Sequence, residues 1–191
     1  GFQPRGKTLG GSSAINAMLY IRGQKEDYNA WYALGNQGWS YDDVLPYFKK
    51  AENNGSFDDS FHGQNGPLSV CNLRNENIFS EAFIESGKKL HQFNTDFNGQ
   101  DQEGVGYYQV TQKDGKRCSA AKAYLEPIKH RENLTIFTDM QAYRIIVEDD
   151  IATAVELIDD NQEKIIINAS KEIILSAGAF GSPQILLRSG I

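Results

Sequence analysis

Cysteine is nearly absent, with Cys71 and Cys118 the two in 191 residues. They allow one disulfide at most, and no C-x-x-C pair or His/Cys cluster offers the spacing of a zinc site, so no metal site is expected and free thiols suited to a reducing compartment such as the cytoplasm are. Long hydrophobic runs are missing too. The longest, 165–167 and 173–175, fall far short of the roughly 20 apolar residues a membrane-spanning helix needs. Positive charge is in the minority, 19 Lys plus Arg against 25 Asp plus Glu, and no basic cluster is visible. The net charge of -6 repels a phosphate backbone, so no nucleic-acid partner is expected. No charged stretch followed by an apolar one marks a signal peptide, and no internal repeat is evident.

Against these absences stand 40% hydrophobic residues and 10 Phe, 9 Tyr and 2 Trp, a composition that excludes a disordered, collagen-like or low-complexity chain. The length suits one domain, enough to bury about 70% of the unfolded surface. The chain opens on Gly1 just ahead of a dense glycine motif and closes on Ser189, Gly190 and Ile191 directly after an apolar helical run. These ends lead to the expectation of an internal piece of a longer polypeptide, a single partial domain over 1–191.

Two textures follow one another. Residues 1–132 read as helices and long loops: a glycine turn and helix over 10–20, a short helix over 27–34, and a helix entered at Ser40 with the acidic first turn of Asp42 and Asp43. A further helix ends near Gly87, and a short one over 119–125 is stopped by Pro127. The stretch 53–67, rich in Asn, Gly, Asp and Ser, reads as a long mobile loop. Residues 133–191 are strand-rich, with β-branched runs at 134–138, 143–148, 152–158, 164–168 and 172–175 separated by polar turns. The middle three are spaced like an antiparallel meander, and a final helix is expected from about Ser182, with Pro183 in its first turn. The predicted fold class is therefore α+β.

Residues 1–8, GFQPRGKT, match the P-loop pattern G-x-x-x-x-G-K-[ST], which makes a nucleotide hydrolase an alternative to be weighed. A P-loop needs a strand before its first glycine and a helix straight from its Lys-Thr, and Gly10 and Gly11 would break that helix. Shifted a few residues on, Leu9, Gly10, Gly11, Ser12 and Ser13 place two glycines and two hydroxyls at a helix start, a cradle for a phosphate or an electron-rich ring. An ordinary capped helix would read the same.

The run at 5–23, RGKTLGGSSAINAMLYIRG, closely resembles the first signature of glucose-methanol-choline flavin oxidoreductases. The run at 176–191, SAGAFGSPQILLRSGI, resembles the second. Between them Gly38-Trp39-Ser40, His62-Gly63 with Gly66-Pro67-Leu68, and the segment 117–125 are similar to family segments, nearest to the choline-dehydrogenase-like branch. The resemblance covers essentially the whole chain.

It implies an FAD-dependent enzyme acting on the CH-OH group of a small alcohol, choline-like, with a base taking the hydroxyl proton and flavin N5 taking the hydride. In the family the glycine-serine turn and the following Asn line the pyrophosphate and the flavin, which assigns cofactor contacts to Leu9, Gly10, Gly11, Ser12, Ser13, Asn16, Ala17, Met18 and Leu19, with Arg5 offering charge nearby. Ala142 resembles the position whose backbone meets the adenine, and Ala177 and Gly178 let a second turn approach the cofactor. The resemblance also places the strands at 134–138 and 172–175 in an FAD-binding parallel sheet of the parent protein. Ile15 occupies the place where some family members carry a flavin-linking His, so FAD is expected to be non-covalent.

Two family elements are missing. No G-x-G-x-x-G with its downstream acid is present, and the catalytic His and its partner lie, in the family, beyond the end of this chain. No catalytic residue is assigned here, and the isolated chain is expected to be inactive. His62, His91 and His130 read as loop or surface histidines. Phe2, Tyr20, Trp31, Trp39, Tyr107 and Tyr108 are material for an aromatic cage around a quaternary ammonium, but core packing is the expected account. Asp149-Asp150 and Asp159-Asp160 read as solvated turns. A homo-oligomer through exposed sheet edges is expected, and a non-enzymatic binding module remains a further alternative.

Overall fold

The structure, a computed structural model, describes residues 1–75 and 77–191, and the chain divides into two compact units, Gly1–Leu134 and Thr135–Ile191. Helix and strand are mixed, as the two textures predicted.

In the first unit the predicted helix over 10–20 is not formed. A single 3-10 turn, Gly11–Ala14, gives way to strand β1, Leu19–Tyr20, which pairs antiparallel with β4, Gln109–Val110. Gly10 and Gly11 both adopt left-handed backbone, φ 89° and 54°, so the turn cannot propagate as an α-helix, and pairing with β4 claims the residues that follow. Helix α1 spans Lys25–Ala33 and begins where the Asp27 carboxylate accepts the Gln24 N–H at 2.8 Å. Helix α2, Tyr41–Ala51, has the predicted cap: Ser40 Oγ accepts from Asp43 N–H at 3.3 Å and Asp43 Oδ2 accepts from Ser40 N–H at 3.1 Å. Acids at 42 and 43 and lysines at 49 and 50 complement its dipole, and Pro46 removes one internal hydrogen bond.

Strands β2, Glu52–Asn54, and β3, Leu68–Val70, pair in parallel, and the segment between them is the long loop its composition suggested, tied by its own side chains. Asn54 Oδ1 accepts from Ser56 and Phe57 N–H, Asp59 Oδ1 accepts from Phe61 and His62 N–H, and Gly63 N–H donates to the buried Glu52 carboxylate. The side chains that compete with regular structure here lock an irregular one. Helix α3, Ile78–Gly87, is capped by Asn77, whose Oδ1 accepts from Phe79 N–H at 2.8 Å. Strands β5, Gln112–Lys113, and β6, Lys116–Arg117, form a tight hairpin through Asp114 and Gly115, both at positive φ. The helix expected over 119–125 is a π-turn at Ala121–Leu125 that runs on into a 3-10 turn, Glu126–Ile128; Pro127 sits within the first positions of the latter, where its missing N–H costs nothing, and so does not stop the chain.

In the second unit the meander is as predicted: β7, Met140–Glu148, β8, Ile151–Asp159, and β9, Lys164–Asn168, lie in the order β7-β8-β9, all antiparallel. Asp149 and Asp150 make the β7–β8 turn, both at positive φ and exposed. Helix α4, Gly178–Arg188, starts four residues before the expected Ser182, its opening hidden by Gly178 and Gly181, which have weak helix propensity. It packs on β7, with Ser189 Oγ accepting from Ile145 N–H at 2.8 Å and Ile145, Ala154 and Ile185 buried. Glu156, buried on the central strand, is bridged by Arg144 on β7 and Lys164 on β9; the hydrogen bond from Lys164, with help from Arg144, holds its carboxyl below the usual range.

Two expected strands are absent: among the described residues neither 134–138 nor 172–175 forms one. A β-branched run needs a neighbour for its backbone N–H and C=O groups, and no described segment pairs with either. The aromatic expectation is corrected as well. Phe2 is 91% exposed, and Trp31 and Trp39, 48% and 51% exposed, stack edge to face on each other with ring centroids 5.8 Å apart rather than filling the core. Both cysteines are free thiols, Cys118 buried and Cys71 half-buried. No helix of the described residues is long and apolar enough to cross a membrane.

Candidate cofactor-binding site

The glycine-serine loop of the first unit is an irregular turn held from one side. Gly10 packs against the π-turn: a Cβ there would lie 3.2 Å from Ala121 Cβ. Gly11 is the opposite case, left-handed, with nothing within 4 Å of where a Cβ would stand, so its backbone borders open space. Ser13 ties the loop together. Its Oγ donates to Gly10 C=O at 2.5 Å and accepts from Ala120 N–H at 2.8 Å.

Asn16 turns the chain next. Its Oδ1 accepts from Met18 N–H at 3.0 Å and from Arg117 Nη1 at 2.7 Å, and Arg117 Nη1 also donates to Ser13 C=O at 3.1 Å. Met18 is thereby held at φ 64°, an uncommon backbone for a residue with a side chain, while its C=O accepts from Thr111 N–H at 2.9 Å. Beside the two local bonds, Ser13 to Gly10 and Met18 to Asn16, every clamp comes from 111–120, about a hundred residues downstream. Arg5, Leu9, Ser12, Asn16, Ala17 and Leu19 are exposed; Gly10, Gly11, Ser13 and Met18 are half-buried.

The predicted contacts at Ala142, Ala177 and Gly178 lie in the second unit. Ala142 sits in β7 opposite Leu157, beside a register shift, and is half-buried. Ala177 and Gly178 are exposed at the start of α4; Gly178 has φ 83°, again with nothing within 4 Å of a Cβ.

A flavin nucleotide offers a flat acceptor-rich ring and a pyrophosphate, and both need backbone that lets them come close. In the first unit the exposed loop face and the open side of Gly11 meet this requirement, so the loop residues fit the group. What the loop does not supply is a helix dipole, since Gly11–Ala14 is one short 3-10 turn. The P-loop reading fails on the same ground: Thr8 enters a turn, not a helix.

A second constellation, legible only in part from the sequence, fills the interior of the first unit. Arg22 Nη2 meets Glu52 Oε2 at 2.5 Å, His62 Nδ1 lies 3.1 Å from Glu52 Oε1, and His62 Nε2 lies 2.9 Å from Asp96 Oδ2. Asn54, Gln109 and Asn98 complete the network, with Asn98 Oδ1 accepting from Arg22 N–H at 2.8 Å and Asn98 Nδ2 donating to Tyr20 C=O at 3.0 Å. Of the loop or surface position expected for it, His62 takes the loop but not the surface: it is 2% exposed, whereas His91 and His130 are exposed. Burial pulls the imidazole pKa down, but hydrogen bonds to Asp96 and Glu52 and their charges raise it to about 9. Burial pushes the Glu52 and Asp96 carboxyls up, yet their bonds to His62 lead the effects that hold both below their ordinary values. Asp59, His62 and Asp96 bring three potential ligand atoms within 4.8 Å of one another. A doubly hydrogen-bonded imidazolium offers no lone pair to a cation, so these residues are not assigned to a metal.

Sequence reasoning found the glycine turn but continued it as a helix and missed its clamp, although the Asp114-Gly115 dipeptide is the signal that would have placed the hairpin carrying Arg117. A cavity of about 600 Å³ is lined by residues at 22–26, 41, 61 and 97–103, none of them in the loop.

Comparison with known proteins identifies the family. The GMC oxidoreductase family profile matches residues 2–191. The chain is 47% identical over 193 residues to an alcohol dehydrogenase [acceptor] of Pseudomonas putida, and 45% identical over 189 residues to an oxygen-dependent choline dehydrogenase of Rhizobium johnstonii, covering 100% and 98% of this chain and 35% and 34% of theirs. It spans about a third of the length of these relatives. Among solved structures, pyridoxine 4-oxidase from Mesorbium loti superposes with a TM-score of 0.90 at 35% identity, over 98% of this chain and 37% of the other. An FAD-dependent oxidoreductase from Chaetomium thermophilum does so with 0.89 at 29% identity, over 95% and 34%. With a profile match across all but the first residue and a fold shared at this level, the chain belongs to the GMC oxidoreductase family.

Proposed function

We propose that this chain forms part of the FAD pocket of an oxidoreductase acting on the CH-OH group of a small, choline-like alcohol. The observation that carries the reading is the exposed loop over 10–19, with Gly11 open to solvent and Asn16 and Met18 fixed from behind by Arg117 and Thr111. FAD, when bound, supplies the acceptor for the hydride that leaves the carbinol carbon. The chain's own residues bind and orient it. Leu9, Gly10, Gly11, Ser12, Ser13, Asn16, Ala17, Met18 and Leu19 line the pyrophosphate and flavin, Arg5 adds positive charge, the Ala142 backbone meets the adenine, and Ala177 and Gly178 admit the cofactor at a second turn. Ile15 has no nucleophile, so FAD is held non-covalently.

The remaining proposals concern the whole protein. Alcohol oxidation needs a base, and none of the three histidines here is placed for it, so the 191-residue chain alone is inactive. Segments 134–138 and 172–175 join a parallel FAD-binding sheet when strands from a longer polypeptide pair with them. The test is anaerobic: the protein made from the complete reading frame that contains this chain, purified with its flavin, is mixed with choline and with simple primary alcohols. Bleaching of the flavin band by an alcohol is the expected result, and a flavin that no alcohol bleaches contradicts the reading.

A further inference from the structure

Asn16 and Arg117 carry one more step. A carboxamide has a donor end and an acceptor end, and which end faces inward is settled by its neighbours. Both groups on the inner side of Asn16, the Met18 N–H at 3.0 Å and the Arg117 guanidinium at 2.7 Å, are donors only. The oxygen therefore faces inward and the NH2 faces out, where it has no partner among the described residues and the side chain is exposed. Arg117 is itself delivered to this place by the β5–β6 hairpin, and its second bond, to Ser13 C=O at 3.1 Å, spans the turn. Met18 N–H alone would leave the amide tethered by one bond; the guanidinium adds the second that sets its rotation.

Resting on the cofactor reading and deepening it, we propose that Arg117 is a positioning residue that holds the Asn16 carboxamide with its NH2 outward, as a hydrogen-bond donor to the acceptor atoms of the bound flavin nucleotide. Those acceptors belong either to the flavin ring or to the pyrophosphate, and the probes below separate them. Arg117 acts through Asn16 and does not itself touch the cofactor.

Three substitutions divide the work. Asn16→Asp keeps an acceptor for both Met18 and Arg117 but replaces the outward NH2 by oxygen. Arg117→Met removes both guanidinium bonds, and Arg117→Lys restores the charge with one compact donor. In the protein from the complete reading frame, amide exchange at Met18 reports the turn, and titration with FAD, riboflavin and ADP reports the donor. Asn16→Asp is expected to keep Met18 protection while losing about tenfold or more in FAD affinity. Arg117→Met is expected to lose both, and Arg117→Lys to recover part of each. An Asn16→Asp defect seen with riboflavin assigns the donor to the ring, and one seen with ADP assigns it to the pyrophosphate; either agrees with the proposal. FAD affinity unchanged in Arg117→Met or in Asn16→Asp overturns the assignment while leaving the cofactor reading intact. Failure of the unsubstituted protein to bind FAD overturns both.

Discussion

Arg22, Glu52, His62 and Asp96 put two cationic and two anionic groups inside the first unit, linked by contacts of 2.5 to 3.1 Å. Such clusters are costly to form and more costly to break, because removing one partner leaves a charge buried without compensation. Arg22→Met is expected to lower the stability of this unit by about 3–5 kcal/mol, measured by denaturant unfolding. The pH dependence has a definite sign. His62 has its folded pKa raised from 6.5 to about 9, so its contribution is complete below about pH 6.5 and is lost as pH rises through 9. That shift corresponds to about 3 kcal/mol. Glu52 and Asp96, whose values are depressed, contribute above their ordinary carboxylate range and lose that contribution as pH falls. Unfolding midpoints should therefore be highest in mildly acidic buffer and fall on both sides, and His62→Gln should remove the slope between about pH 6.5 and 9. A midpoint flat from pH 6 to 10 in the unsubstituted chain would count against a charged His62.

At the level of elements, what the sequence revealed depended on whether the signal was local. The Ser40 cap, the amphipathic run of α3 and the three strands of the meander are written in adjacent residues, and all are present. Ser40→Ala should cost about 1 kcal/mol, read as a lower thermal midpoint of the first unit. Elements decided by distant partners were not legible. The helix expected over 10–20 yields to a strand pairing with Gln109–Val110 and to clamps from 111–120, and no local pattern at Gly10 announces those partners. The segment 53–67 shows the same in reverse. Its Asn and Asp residues looked like loop formers, and they are, but their bonds close around Glu52, which is fully buried. The glycine turn at 10–11 was legible because its glycines and serines stand together in sequence; the bonds of Arg117 to Ser13 and Asn16 were not, since they exist only once the hairpin folds back.

For the whole molecule, much apolar surface is left uncovered in both units. Phe79, Phe83 and Leu90 are 81%, 72% and 83% exposed in the first, and Ile174, Phe180 and Leu187 are 79%, 61% and 76% exposed in the second. The edge strands of the meander add Ile165 and Ile166 on β9, 39% and 59% exposed. Surface of this kind drives association. The isolated chain is expected to self-associate as its concentration rises, which light scattering over a concentration series will show, and a strictly monomeric particle at every concentration would speak against it. Acid precipitation of the flavin-loaded whole protein should release all of its FAD to the supernatant, as Ile15 forms no covalent link; flavin retained in the pellet would contradict that.

The central claim is that the loop over 10–19 is the cofactor's cradle, and Gly11 tests it most directly because it has left-handed backbone and nothing lies within 4 Å of where its Cβ would stand. The measurement is an FAD titration of the protein from the complete reading frame beside its Gly11→Val variant, with circular dichroism to check that both are folded. The account predicts a visible flavin spectrum that survives gel filtration in the unsubstituted protein and is lost in the folded variant. A folded Gly11→Val protein that retains FAD with undiminished affinity would contradict it.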